Sequence, residues 1–244
     1  MSRYPINEIF ASIQGEGSRT GERCVFVRFQ GCNLNCPYCD TKDAIKEDDS
    51  KDMSNIDISL AIDNYEEINT VVLTGGEPLL YLDRNIMESI KPPYPDDDEK
   101  VYNVIIQTNG TQDISEISRY LSLDDIICCD IKCNSSTFME KFFIAYKNVY
   151  GDHYRVEFKV PVDDIDTALA IDRQVGLLED SVRGMDEIEI YLSPIIFDEK
   201  DIKETYKKFA ELNLQHTKLN FQIHKLIGVK WWKDANIVDA QNLS

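Results

Sequence analysis

Short runs of apolar residues recur along the chain, and amphipathic stretches separate them. The runs are nearly continuous in apolar and β-branched residues, which is typical of parallel strands covered on both faces. They predict seven strands, at residues 24–29, 70–73, 101–106, 125–131, 154–160, 187–192 and 218–223. The stretches between them have apolar residues at helical spacing and predict helices at 56–65, 82–90, 114–121, 136–146, 163–175 and 199–212.

The alternation of strands and helices predicts βαβ crossovers and a mainly parallel sheet. Seven strands in 244 residues favour an α/β fold with an open or partial (β/α) barrel over a complete barrel of eight units. The sequence shows no internal repeat and no long linker. We therefore predict a single domain over residues 1–244.

Polar motifs directly follow six of the predicted strands. They are GCNLNCPYCDT, TGGEP, QTNG, DIKCNSS, the pair Ser193-Pro194, and the group Gln222, His224 and Lys225. The carboxyl ends of parallel strands share one edge of the sheet, where ligands bind. The sequence therefore predicts that six separate segments meet around one cavity.

The chain is acidic, with a net charge of −18. This balance argues against non-specific binding to nucleic acid or to an anionic membrane, because both would be repelled. It leaves room for a small anionic substrate in a locally basic pocket. The acidic runs at 47–49 and 96–99 are predicted to be solvated loops. We see no signal peptide and no spanning segment and expect a cytoplasmic protein.

Three of the seven cysteines, Cys32, Cys36 and Cys39, lie within eight residues in a loop rich in turn-forming residues. An odd number of cysteines with this clustering favours a metal site in a reducing compartment over a disulfide framework. A [4Fe–4S] cube usually has four cysteine ligands, so three would leave one iron open for chemistry. Spacing alone leaves two alternatives, a zinc site with a distant fourth ligand and plain thiols.

The spacing Cys-x3-Cys-x2-Cys, with Tyr38 before the last cysteine, resembles the signature of the radical S-adenosylmethionine superfamily. The later TGGEP segment is similar to the glycine-rich motif of that superfamily. The resemblance implies a [4Fe–4S] cluster on the three cysteines and S-adenosylmethionine on the open iron. It also implies that Glu77 accepts hydrogen bonds from the ammonium of S-adenosylmethionine, and that Tyr38 packs near the adenine.

Within that superfamily, the segments YPINEIFASIQGEG and CVFVRFQGCNLNCPYCDT resemble the 7-carboxy-7-deazaguanine synthase family of queuosine and deazapurine biosynthesis. A weaker likeness continues through QTNGT to FQIHK. Members of that family are lyases that contract 6-carboxy-5,6,7,8-tetrahydropterin to 7-carboxy-7-deazaguanine with loss of ammonia, using a 5′-deoxyadenosyl radical. The resemblance implies a flavodoxin or ferredoxin as reductant and a homodimer, with no direct nucleic-acid or membrane partner.

The same resemblance implies roles for individual residues. The residues implied to bind the pterin are Ile13, Gln14, Gly15, Glu16, Arg28, Thr74, Gln107 and His224. Those implied to bind S-adenosylmethionine are Tyr38, Gly76, Glu77, Asp130, Ile131, Lys132 and Ser135. Arg28 would pair with the substrate carboxylate, a task suited to a planar, two-pronged donor. Thr41 would bind Mg²⁺ together with substrate oxygens and waters.

The chain departs from the family pattern at three places. The family more often has Glu at the position of Gln107, Gln at the position of Ser193, and Ser-Pro-Lys where this chain has Asp130-Ile131-Lys132. An amide in place of a carboxylate at Gln107 removes a charge and adds donors, so contacts with the heterocycle would differ. Four cysteines have no implied role: Cys24, Cys128, Cys129 and Cys133. The first three lie in apolar strands and are predicted to be core residues.

Two other functions remain open from the sequence. One is an activase that makes a glycyl radical on a partner protein, which would need the cysteines and TGGEP but neither QGEG nor Arg28. The other is a non-catalytic iron–sulfur or zinc-binding module, which would bind metal without cleaving S-adenosylmethionine.

Overall fold

A computed structural model describes residues 2–45, 50–96, 100–181, 188–196 and 201–226. The strands are β1 (Arg3–Ile13), β2 (Arg23–Phe29), β3 (Lys51–Ser54), β4 (Thr70–Gly75), β5 (Asn103–Thr108), β6 (Ile126–Asp130), β7 (Arg155–Val162), β8 (Glu189–Pro194) and β9 (Lys218–Leu219). The helices are α1 (Asn55–Asp63), α2 (Arg84–Ile90), α3 (Ser115–Ser118), α4 (Phe138–Val149), α5 (Ile165–Ser181), α6 (Ile202–Ala210) and α7 (Ile223–Leu226).

All nine of these strands form one sheet, in the order β3-β1-β2-β4-β5-β6-β7-β8-β9. β1 pairs antiparallel with β2 and β3, whereas the neighbours from β2 to β9 are all parallel. Within the described ranges the order has two separate ends, so the sheet is an open, partial barrel. The predicted fold class is confirmed. The prediction of one domain over residues 1–244 stays a prediction, because it includes residues outside these ranges.

The six predicted helices and six of the seven predicted strands are present with shifted ends. The strand predicted at 218–223 is wrong beyond Leu219, because the chain turns into α7 at Ile223. The sequence pattern missed β1 and β3. In β1 a bulge between Ile6 and Glu8 interrupts the alternation of buried positions. Of the two acidic runs, residues 47–49 and 97–99 lie outside the described residues, and Asp96 is exposed.

The two faces of the sheet have different surroundings. Alternate strand residues pack under the helices in the main core, among them Val27, Leu73 and Phe158. The opposite, inner face has a smaller apolar cluster formed by Phe10, Cys24, Phe26, Val72, Ile105, Ile126 and Cys128. Cys24, Cys128 and Cys129 are buried, as predicted.

The inner face becomes polar toward the carboxyl ends of the strands. Side chains two residues apart in a strand point to the same face. Arg28 follows Phe26 in this way, Thr74 follows Val72, Gln107 follows Ile105, and Asp130 follows Cys128. The same sheet face therefore has an apolar floor and a polar upper wall, which places hydrogen-bonding groups at the edge where ligands bind.

The loop between β1 and β2 reaches across this inner face to the far strands. The Gly17 amide donates to Oδ1 of Asn220 at 3.1 Å, and the Ser18 amide donates to Oε2 of Glu157, in β7, at 3.2 Å. The amide of Ile223 donates to the Gly15 carbonyl at 3.1 Å. These bonds attach the QGEG segment, which follows β1, to β7 and to the residues after β9. The segment therefore forms a wall of the cavity.

The TGGEP segment and the cysteine loop are in direct backbone contact. The Gly76 amide donates to the Phe29 carbonyl at 3.1 Å, and the Glu77 amide donates to the Gly31 carbonyl at 2.9 Å. A Cβ atom on Gly76 would lie 1.9 Å from the Gly31 oxygen, and one on Gly75 would lie 2.1 Å from the Phe29 oxygen. The two glycines are therefore required by close packing of the two loops.

Among the helices of the described residues, none combines the length and the apolar character that crossing a bilayer requires.

We expect Gly76→Ala to destabilise the protein by about 1–3 kcal/mol, because the added methyl group must push the cysteine loop away. The iron content of this variant after anaerobic reconstitution should also fall, because the displaced loop carries the cysteines. Denaturant unfolding and iron analysis measure the two effects. Gly21→Ala is the control: Gly21 has a positive φ, +94°, but a Cβ atom added there would meet no other atom within 4 Å. It should cost roughly 1 kcal/mol of backbone strain and retain iron. Normal stability and iron content in Gly76→Ala would contradict this account.

Candidate active site

A cavity of about 460 Å³ lies at the carboxyl ends of the strands. This is within the usual size range of ligand pockets. All six segments predicted to meet there contribute to its walls, so the predicted convergence is confirmed. The predicted site residues that line it are Gln14, Gly15, Glu16, Arg28, Cys32, Cys36, Tyr38, Cys39, Thr41, Thr74, Gly76, Gln107, Asp130 and Lys132.

The three clustered cysteines line the cavity as free, partly buried thiols. Cys32 Sγ accepts from the Leu34 amide at 3.4 Å and from Nδ2 of Asn109 at 3.9 Å. Burial raises the pKa of the Cys36 thiol, while the nearby Lys132 opposes the rise. Within the described ranges no three His, Cys, Asp or Glu side chains converge on a single ion. The donor set fits an iron–sulfur cube, in which each cysteine binds a different iron.

Tyr38 lies between the last two cysteines and contacts Lys132, in the segment that follows β6. The Lys132 ammonium is 5.9 Å from the centre of the Tyr38 ring, a cation–π distance. Lys132 Nζ also lies 3.1 Å from Oδ2 of Asp130. The cysteine loop is thereby joined to the DIK segment across one end of the cavity.

Arg28 is a buried cation on the opposite part of the wall. Its Nε donates to Oε1 of Glu8 at 2.7 Å, and its guanidinium carbon lies 5.7 Å from the centre of the Phe10 ring. Nearby along the sheet, Thr74 Oγ1 donates to Oε1 of Gln107 at 2.7 Å. This bond uses the carbonyl end of the Gln107 amide, so the amino end is the donor that this side chain offers to a ligand.

Gln14 has an unsatisfied group. Its side chain is 2% exposed, and its Nε2 has no hydrogen-bond partner among the described residues. A buried amide without a partner costs about 1–3 kcal/mol. Gln14 is also among the residues that line the cavity.

Lys159 also lines the cavity, and sequence reasoning missed it. Its Nζ lies 2.5 Å from Oε2 of Glu16 and 3.1 Å from Oδ1 of Asp130. Burial by itself would lower the pKa of Lys159, but the two carboxylates more than offset this and raise it well above its usual range. The available signal was a second charged residue, two after Glu157, on the inward face of a strand whose alternate residues are apolar.

Glu77 has several contacts within the protein, and its predicted contact with S-adenosylmethionine stays a prediction. It is fully buried and does not line the cavity. Its carboxylate accepts from the Leu79 amide at 3.0 Å, from Thr108 Oγ1 at 2.7 Å and from the Asn109 amide at 2.7 Å. Burial raises the pKa of Glu77, and these three bonds oppose the rise. The contacts in the structure give Glu77 a positioning role: it holds the QTNG loop against TGGEP.

Three other predicted site residues lie away from the cavity wall. Ile13 is half-buried at the end of β1, opposite Arg23. Ile131 packs in the helix-side core, because alternation along the strand turns it away from Asp130. Ser135 is half-buried, and its backbone oxygen accepts from Gln174. The backbone of His224 is in α7, but its side chain lies outside the described residues.

Comparison with known proteins gives the family. The profile described as the Radical SAM superfamily matches residues 26–157. A protein from Clostridium acetobutylicum named 7-carboxy-7-deazaguanine synthase is 30% identical over 247 residues, which span 92% of this chain and 96% of that protein. The chain belongs to the 7-carboxy-7-deazaguanine synthase family. It is therefore a radical S-adenosylmethionine enzyme, with a [4Fe–4S] cluster and S-adenosylmethionine as cofactors.

Two further proteins agree with this assignment. A relative of the same name from Buchnera aphidicola subsp. Schizaphis graminum is 29% identical, over 93% of this chain and 99% of its own. The crystal structure of QueE from Escherichia coli matches with a TM-score of 0.62 and 24% identity, covering 90% of this chain and 94% of that one. This structural likeness independently confirms the fold.

We expect Cys36→Ala to lose the brown visible absorbance and most of the iron and sulfide after anaerobic reconstitution, since one of three iron ligands is gone. Cys133→Ala is the matched control. Cys133 is partly buried outside the cavity wall, and burial raises its pKa to about 12. That variant should keep the full cluster. A normal cluster in Cys36→Ala would show that the ligand assignment is wrong.

Proposed function

We propose that this enzyme converts 6-carboxy-5,6,7,8-tetrahydropterin to 7-carboxy-7-deazaguanine, with contraction of the ring and loss of ammonia. The observation that carries the proposal is the side-chain nitrogen of Gln14, which has no partner among the described residues, in a cavity that Gln14 lines together with Arg28 and the three cysteines. A pterin carboxylate offers an anionic group for Arg28 and ring acceptors for an amide donor. The names of the two full-length relatives support the same reaction.

Each polar group on the substrate wall has a task in this proposal. Arg28 binds the substrate carboxylate, and Glu8 orients the guanidinium by holding its Nε. Gln14 donates to an acceptor on the heterocycle. Thr74 fixes the amide of Gln107, which presents its amino group where other family members more often present a carboxylate. Such fixed donors bind the ring in one orientation and exclude water from the reacting carbon.

The cofactors occupy the other end of the cavity. Cys32, Cys36 and Cys39 would hold the cluster, which would supply the electron for the reductive cleavage of S-adenosylmethionine. Tyr38, Gly76, Asp130 and Lys132 line the adjoining wall, and we assign S-adenosylmethionine to that wall. Both ends belong to one cavity, so the two partners of the hydrogen transfer would meet in a single pocket.

Further assignments complete the proposal. The electron comes from a flavodoxin- or ferredoxin-type reductant, and the enzyme works as a cytoplasmic homodimer. The seven free thiols suit a reducing compartment. The net charge of −18 argues against direct binding to nucleic acid or to an anionic membrane.

The deciding experiment is anaerobic incubation of the reconstituted enzyme with reductant, S-adenosylmethionine, Mg²⁺ and the carboxytetrahydropterin. We expect 7-carboxy-7-deazaguanine and ammonia in equal amounts, identified by mass spectrometry and an ammonia assay. Formation of 5′-deoxyadenosine at a rate unaffected by the pterin, without the deazaguanine, would instead favour the glycyl-radical activase.

Gln14→Leu should separate stability from activity. Removal of the unsatisfied amide should raise the free energy of unfolding by about 1 kcal/mol, while the lost donor raises KM for the pterin. Gln30→Leu is the matched control, since Gln30 is equally buried but its amide bonds Asn7 and the Asp43 carbonyl. It should destabilise the protein. If Gln14→Leu also destabilises it and leaves KM unchanged, Gln14 does not bind the substrate.

We assign Mg²⁺ to Thr41, which lines the cavity and whose Oγ1 lies 3.6 Å from Cys39 Sγ. A hard cation accepts a hydroxyl ligand when substrate oxygens and waters complete the octahedron. Turnover should therefore rise with added Mg²⁺, and Thr41→Ala should need more Mg²⁺ for half-maximal rate. Thr111→Ala, an exposed hydroxyl beside Asn33, is the control. A rate indifferent to Mg²⁺ in both the original enzyme and Thr41→Ala would refute the assignment.

A further inference from the structure

The side chain of Lys159 is the centre of a buried ionic network in the cavity wall. The residue is 3% exposed and projects from the middle of β7 toward the inner face. Its two carboxylate partners come from different parts of the chain: Glu16 from the QGEG segment and Asp130 from the end of β6. A buried ammonium is tolerated only when it is paired in this way.

Each partner has a second contact that extends the network. Glu16 Oε1 accepts from Nε2 of Gln222 at 2.6 Å. Asp130 Oδ2 lies 3.1 Å from Nζ of Lys132, which in turn lies over the Tyr38 ring. The Lys159 network, composed of Gln222, Glu16, Lys159, Asp130 and Lys132, thus runs without a break from the C-terminal segment to the cysteine loop.

The charges of the network explain why its central cation matters. Without Lys159, the partly buried carboxylates of Glu16 and Asp130 would face each other without the cation that now lies between them. Like charges in a poorly solvated wall repel strongly, so Glu16 and Asp130 would move apart. Removal of the central cation would therefore displace both walls together.

We propose that Lys159 is a positioning residue that holds Glu16 at the substrate end and Asp130 at the cofactor end in fixed relative positions. Affinity for S-adenosylmethionine then depends on a contact made at the opposite end of the cavity. The proposal deepens the proposed function, because it rests on the assignment of these two walls to the pterin and to S-adenosylmethionine.

The first test measures the dissociation constant of S-adenosylmethionine for the cluster-loaded enzyme without pterin, by anaerobic equilibrium dialysis. Lys159→Met should weaken binding about tenfold, because Asp130 loses the partner that orients it. Lys159→Arg, which keeps the charge, should recover part of the loss. An unchanged dissociation constant in Lys159→Met would overturn the proposal.

Lys91→Met is the matched control for loss of a buried ion pair. Lys91 pairs with the fully buried Asp125 at 2.6 Å, and neither lines the cavity. This variant should lower the free energy of unfolding yet leave S-adenosylmethionine binding within about twofold. An equal loss of affinity in Lys91→Met and Lys159→Met would mean that the effect is general destabilisation, and the proposal would fall.

Glu16→Gln tests transmission through Lys159 and does not depend on how well Lys159→Met folds. Glu16 bonds Lys159 and Gln222 and belongs to the wall assigned to the pterin. If Glu16 acted on the pterin alone, its replacement would leave the affinity for S-adenosylmethionine unchanged. The proposal expects a loss of about fivefold, and no further loss when Glu16→Gln is added to Lys159→Met. Additive losses, or none in Glu16→Gln, would count against it.

The pterin kinetics report on the substrate end. Lys159→Met should raise KM for the pterin more than it lowers kcat, because the displaced wall binds substrate less well. A fall in kcat with unchanged KM would contradict the positioning role at this end. If the original enzyme does not convert the pterin at all, the proposed function fails, while the S-adenosylmethionine affinities still decide the role of Lys159.

Discussion

The backbone contact between the TGGEP segment and the cysteine loop is the constraint on which the site depends. Two amide-to-carbonyl bonds join the loops, and Gly76 approaches Gly31 too closely for any side chain. The cysteine loop has little regular structure of its own. This contact therefore fixes the position of the loop relative to the sheet. Glu77 extends the same constraint to the next strand by binding the Asn109 amide, and Asn109 donates to Cys32 Sγ. Three strand ends thereby position one metal ligand.

The cavity exists because the inner face of the sheet changes character along its strands. An apolar cluster fills the amino-terminal half, where Phe10 stacks on Phe26 at 5.2 Å between ring centres. Two residues further along each strand, the inward side chains are polar, and they need hydrogen-bond partners when they are buried. Some of them satisfy one another, as Thr74 and Gln107 do. The side-chain nitrogen of Gln14 has no partner among the described residues, and a ligand that supplies an acceptor to it would remove this cost.

The sequence predicted the parallel strands and most cavity residues because both have local signals: continuous apolar runs, and polar motifs at strand ends. It did not predict β1, whose bulge turns Tyr4 and Phe10 toward different cores. Lys159 was missed because its role depends on two distant carboxylates that only the folded chain brings together. Glu77 was assigned to the cofactor on resemblance, and its burial among backbone donors could not be read from TGGEP alone.

The charge distribution resolves a question that the composition left open. A protein with a net charge of −18 repels small anions at long range, yet the proposed substrate has a carboxylate. Within the cavity the balance reverses: the basic side chains are Arg28, Lys42, Lys132 and Lys159, and the acidic ones are Glu16, Asp40 and Asp130. Short-range pairing dominates in a poorly solvated site, because the distant surface charges are screened by salt. Acidic partners hold the paired cations of the cavity wall in place. The cavity therefore presents oriented charges to a ligand, while the protein surface remains acidic.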